Sequence, residues 1–119
     1  MGNHVATPPV NKPRRIEFDL DLEGRITAVS PLVESTTGFK AEELIGMPLI
    51  ALVHHEDLHS LQDRWRLALT GEVSSYVIRL AGKYGDFRRV RTSTRPRFDN
   101  GHAVGLTQIM TEIRRPSRN

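Results

Sequence analysis

The sequence contains no cysteine. That absence excludes disulfide frameworks, cysteine-ligated zinc, iron–sulfur clusters, thiol nucleophiles and a flavin held as a cysteinyl adduct. It is compatible with a cytoplasmic location without establishing one. Aromatic residues are sparse at 6%, and Trp65 is the single tryptophan. No apolar run approaches the roughly 18 residues that a membrane span needs. Met1 to Pro13 lacks the apolar segment of a signal peptide.

What is present fits one modest domain. The 119 residues are 38% apolar and 26% charged, ordinary values for a globular chain. The net charge of +3 hides an asymmetry. Residues 1–63 hold five basic and ten acidic groups, a balance of −5, and residues 64–119 hold twelve basic and four acidic, a balance of +8. A basic second half suits nucleic acid, an acidic partner, or pairing with the chain's own acidic half.

Residues 1–14, with Pro8, Pro9 and Pro13, read as a flexible leader, 15–114 as the folded domain and 115–119 as a tail. Ile16, Phe18, Leu20 and Leu22 alternate with Glu17, Asp19, Asp21 and Glu23, the pattern of a half-buried strand. Asp21 to Gly24 supplies turn chemistry into a second strand over Arg25 to Val29. Ser30-Pro31 predicts a helix start with Ser30 as cap, and a second short helix covers Ala41 to Ile45 before Gly46. The clearest helix runs from about Glu56 to Leu69, with Leu58, Leu61, Trp65 and Leu69 on one face. Strands follow over Ser74–Ala81, Phe87–Phe98 and Ala103–Ile113, the last two joined by Asp99-Asn100-Gly101. Strand groups at both ends around helices predict an α+β fold, an antiparallel sheet with helices on one face.

Four segments carry a family resemblance. Asp21-Leu22-Glu23-Gly24-Arg25-Ile26 is similar to a D-x-x-G-x-I hairpin. Thr37 to Gly46 resembles G-F-x-x-E-E-L-I-G. Leu52-Val53-His54-His55-Glu56-Asp57 resembles L-V-H-P-E-D, and Gly82 to Gly85, with Pro96, Asp99, Gly101 and Gly105, resembles a K-D-G turn and terminal hairpin. Together they resemble a PAS domain over about Ile16 to Ile113. Ser30, His55, Tyr84, Arg89, Gln108 and Glu112-Ile113-Arg114 depart from the family pattern. The resemblance implies a five-stranded antiparallel sheet in order 2-1-5-4-3, with short helices and one longer helix on one face. It also implies a non-catalytic sensor that binds a small molecule or dimerises. Such a module regulates an attached output such as a histidine kinase, a diguanylate cyclase or a transcription regulator.

Alternation assigns an interior wall. Val90, Thr92 and Thr94 share one face of the fourth strand, Val104, Leu106, Gln108 and Met110 one face of the fifth, and Tyr76 and Ile78 one face of the third. Phe39, Leu44, Leu61 and Trp65 complete the pocket candidates from the helical side. Buried Thr92, Thr94, Tyr76 and Gln108 need partners, which are a small, partly polar ligand, water or one another. The opposite face of the fourth strand carries Arg89, Arg91, Arg95 and Arg97. Across the sheet lie Glu17 and Asp19, with Thr107 and Ile109 between. Acid, apolar seam and base suit a two-fold antiparallel homodimer. Nucleic acid is the lesser reading, because few aromatics interleave and no DNA-reading helix is recognisable.

His55-Glu56-Asp57-Leu58-His59 matches H-E-x-x-H, the zinc-hydrolase pattern with Glu56 as base. The match is short, no third ligand motif follows, and His55 falls at a helix start, so an exposed helix start is the simpler reading. His59 is also the one candidate on the long helix for a haem-bound gas or redox sensor. Trp65 is placed to stack on an unattached flavin, although a tryptophan at that spacing is commonly core.

Overall fold

The computed structural model describes residues 15–113; the expected leader over 1–14 and tail over 115–119 lie outside the described residues. Alternation builds the first strand, β1 (Arg15–Leu20): Ile16, Phe18 and Leu20 are buried while Arg15 and Glu17 face solvent. Asp21 turns the chain, its Oδ1 accepting the amides of Glu23 and Arg25 at 3.0 and 2.9 Å. Gly24 takes φ +85°, which a side chain would resist. β2 (Ile26–Val29) follows. The helices α1 (Val33–Thr37), α2 (Ala41–Leu44) and α3 (Leu58–Leu69) come next, with 3-10 turns at Leu49–Leu52 and His55–Asp57 before α3.

The chain closes with β3 (Ser75–Ala81), β4 (Phe87–Asp99) and β5 (His102–Glu112). All pairings are antiparallel and the order is β2-β1-β5-β4-β3, the order the PAS resemblance implies. Asn100 and Gly101 take φ +51° and +80°, the two left-handed positions of a tight hairpin between β4 and β5. The core lies between the sheet and the helices: Val33, Leu44, Leu49, Leu52 and Leu61 pack with Ile16, Phe18, Leu20, Ile78, Val90 and Met110.

Three local expectations are corrected. Ser30 caps no helix; its hydroxyl accepts the Glu17 amide at 3.0 Å, so the β1–β2 pairing takes the group that α1 would have used. The inward stripe of α3 is Leu58, Leu61, Trp65 and Ala68, while Leu69 is 42% exposed, because Ala68 falls nearer the stripe at 3.6 residues per turn. Val104 is exposed rather than inward. Arg97 pairs with Gly105 but Phe98 pairs with Ala103, which leaves Val104 as the extra residue of a bulge.

Candidate functional site

The strand register gathers the interior candidates. Tyr76 on β3 lies opposite Thr92 on β4, Thr92 opposite Met110, and Thr94 opposite Gln108 on β5. Leu44, Leu61, Tyr76, Ile78, Val90, Thr92, Thr94, Leu106, Gln108 and Met110 are buried, and Phe39 and Trp65 are half-buried against the same core. Gln108 has no exposed surface. Trp65 Nε1 on α3 donates to its Oε1 at 3.0 Å. An indole nitrogen only donates, so this bond fixes the orientation of the amide. Thr94 Oγ1 donates to the same oxygen at 2.9 Å, and Gln108 Nε2 donates to Tyr76 OH at 2.9 Å and to Thr92 Oγ1 at 2.6 Å.

Each hydroxyl has one proton. Since Thr94 gives its proton to Gln108, the 2.7 Å contact between Tyr76 and Thr94 is a donation from tyrosine to threonine. Tyr76, Thr94 and Gln108 therefore form a closed ring of donors and acceptors, in which the bonds polarise one another. The amide uses both lone-pair directions and both protons. Burial pushes the Tyr76 hydroxyl pKa up despite these bonds, so it stays a neutral donor. Among the described residues the hydrogen bonding between this wall and α3 passes through one side chain, Gln108. Gly24 completes the seat of Trp65: a Cβ there would lie 3.0 Å from the indole ring. No sequence signal marks that contact, because it depends on how α3 crosses the β1–β2 turn.

The histidines lie elsewhere. The His59 side chain is 91% exposed, with Nε2 3.4 Å from Asp63. His55 belongs to the 3-10 turn and stacks on His54, their centroids 4.6 Å apart. Glu56 reaches Arg79 at 3.3 Å. The H-E-x-x-H residues thus sit on two elements, and among the described residues no three His, Cys, Asp or Glu side chains gather as metal ligands would. Asp57 is instead a clasp. It accepts the Arg79 amide at 2.8 Å and two guanidinium nitrogens at 3.0 and 2.9 Å. The Arg79 guanidinium holds the Asp57 carboxyl below its usual range, and the carboxylate raises Arg79 in return.

The outer face of the sheet carries the other candidates. Glu17, Ile109, Ser93 and Ser75 form one cross-strand row over β1, β5, β4 and β3. Asp19, Thr107 and Arg95 form a second row, and Arg15, Thr111, Arg91 and Val77 a third. Asp19 Oδ1 accepts from Thr107 at 2.9 Å. Arg97 is no free surface cation: its Nη2 donates to the Leu20 carbonyl at 2.7 Å, passing over Gly105. Arg89, Arg91 and Arg95 remain exposed. A groove of about 350 Å³ opens beside them, with Ser93 and Ile109 in its lining between Arg91 and Arg95. Its hydroxyls, from Ser74, Ser75, Ser93 and Thr111, were not singled out in the sequence, although alternation puts Ser93 on the arginine face.

Among the described residues no helix is long and apolar enough to cross a membrane. The architecture is similar to known structures. The PAS domain of a protein from Colwellia psychrerythraea superposes with a TM-score of 0.76 at 23% identity, covering 83% of this chain and 86% of that one. The PAS-B domain of Drosophila melanogaster Cycle, solved with bound ethylene glycol, gives 0.75 at 15% identity, covering 82% of this chain and 99% of that one. At such identities the likeness speaks for the fold. The sequence itself matches the family model described as the PAS fold over residues 17–113, a span that contains both layers, the Gln108 ring and the Asp57 clasp, and this chain belongs to that family.

Proposed function

We propose that this chain is a non-catalytic sensory module that regulates an attached signalling output, such as a histidine kinase, a diguanylate cyclase or a transcription regulator. PAS domains are generally sensory or signalling modules, and the reading of this one rests on the buried Gln108 ring. A single amide ties α3 to three strands, so a change at that amide shifts the helix layer against the sheet. The ligand is small and partly polar. It enters between the layers and takes over part of Gln108's bonding. Among the described residues the Thr92 hydroxyl accepts from Gln108 but gives its own proton to no side-chain or backbone acceptor, and that proton is the first contact offered to an acceptor atom. Ligand binding shifts the population of two packings of α3, and the sheet carries the shift to the flanking chain.

A second reading is favoured by the outer face. There an acidic β1 and a basic β4 flank the uncharged β5 row of Thr107, Ile109 and Thr111. This arrangement suits a homodimer as the transmitting unit.

Native mass spectrometry of the purified chain tests both readings. A one-to-one adduct of a few hundred daltons that is lost in Gln108→Leu supports the interior ligand. A bare mass that stays bare after exposure to a small-metabolite extract removes it. The same spectra report monomer against dimer. A Soret band in the purified protein would replace the ligand reading with haem.

A further inference from the structure

The outer-face groove and the acid of β1 lie at matched positions. Glu17 pairs with Ile109 on one side of β5, and Ser93 pairs with Ile109 on the other. Neighbouring strands are about 4.8 Å apart, so Glu17 and Ser93 stand at one height and at equal distances from β5. Ser93 lies in the groove wall between Arg91 and Arg95. Among the described residues neither arginine has an ion-pair partner within the chain. The groove thus offers two guanidinium groups and serine hydroxyls, the donors that a carboxylate accepts.

Resting on the self-association reading above, we infer that the occupant of this groove is the Glu17 carboxylate of a second copy of this chain. A two-fold axis along β5 through Ile109 exchanges the two flanks of the face. The two β5 strands are then parallel rather than in the antiparallel arrangement expected from the sequence, because an axis across the strands would set β1 over β1. It places β1 of each copy over β4 of the other. Each Glu17 then descends over the other copy's Ser93, between Arg91 and Arg95. Ile109 meets Ile109 on the axis, and the neighbouring row sets Asp19 over Arg95. The third row opposes Arg15 to Arg91. Glu17 lies between them, since its carboxylate is already 3.5 Å from Arg15 in its own chain. The key is used twice because the interface is isologous.

Sedimentation equilibrium on the whole chain tests this. The wild type forms dimers. Glu17→Arg weakens association about tenfold or more, because at both copies of the key a carboxylate between two guanidinium groups becomes a cation. Arg91→Glu with Arg95→Glu does the same, because Glu17 and Asp19 then face carboxylates. All three substitutions in one chain restore association to within about threefold of wild type. Circular dichroism melts confirm that the variants fold, as Glu17, Arg91 and Arg95 are exposed. A dimer indifferent to Glu17→Arg, or one that the combined variant fails to restore, overturns the key and leaves self-association standing. A wild-type chain that stays monomeric at millimolar concentration overturns both.

Discussion

At the scale of single residues, Gln108 and Gly105 bear the most. Gln108 is the one side chain that satisfies Trp65 Nε1 and Thr94 while donating to Tyr76 and Thr92. Gln108→Leu keeps the volume roughly and strands the indole proton and the threonine hydroxyl. It is expected to cost about 2–3 kcal/mol, the penalty for buried polar groups left unpaired. Since Trp65 is the only tryptophan, its emission reports the same change, and a urea midpoint unaltered by the substitution would refute the account. Gly105 is required by space. A Cβ there would lie 2.2 Å from the Leu20 carbonyl and 2.3 Å from the Arg97 guanidinium. Gly105→Ala therefore destabilises by more than about 2 kcal/mol, through backbone displacement and loss of the Arg97 bond. Adding Arg97→Ala does not rescue it, because the closer obstacle is backbone; recovery in the double variant's thermal melt would show that Arg97 alone was the conflict.

At the scale of elements, both sheet edges are closed by short irregular segments. The Ile26 amide donates to Met47 at 2.8 Å and Gly46 donates to Ile26 at 2.7 Å on the β2 side, while His54 donates to the Arg79 carbonyl at 3.0 Å on the β3 side. Asp57, the residue just before α3, completes the second closure through its bonds to Arg79. Arg79 holds its carboxyl below the ordinary 3.8, so the clasp contributes fully above that value and is lost as pH falls through the depressed one. Asp57→Asn should cost about 1–2 kcal/mol at neutral pH, and the gap to wild type should close as pH falls from the ordinary 3.8 through the depressed value. Denaturant melts across pH check this; a gap that persists unchanged into acid would show that Asp57 acts through shape alone. The strands were legible because alternation survives in β1, β3 and the inner part of β5. The wall of polar side chains was legible for the same reason, and Trp65 as a candidate beside it, but the bond from Trp65 to Gln108 was not, since the crossing of α3 over Gly24 leaves no trace in spacing. Ser30 and Val104 misled because a strand pairing and a bulge, both tertiary, override local cap chemistry and strict alternation.

At the scale of the whole molecule, the charge asymmetry divides into an internal and an external part. Glu43 bonds Lys83 at 2.9 Å, Asp57 bonds Arg79 at 2.9 Å, and Asp19 lies 3.9 Å from Arg97. These pairs tie the acidic first half of the chain to the basic second half, so much of the imbalance is spent in closing the fold. Among the described residues Arg89, Arg91 and Arg95 are left over on one flank of the outer face, and Glu17 lies on the other, level with the space between Arg91 and Arg95. If the dimer is keyed by these exposed charges, its affinity must depend on salt. Contacts between exposed groups weaken once the screening length falls to a few ångströms. Raising salt from about 0.05 to 0.5 M is therefore expected to weaken association about tenfold. The intramolecular clasp at Asp57, closer and better shielded, leaves the melting temperature nearly unchanged. Ile109→Ala should weaken the dimer about equally at both salt concentrations, because apolar burial on the axis is not screened. Association that is flat with salt yet lost in Ile109→Ala would assign the interface to the apolar seam alone and leave the arginines as a solvated flank.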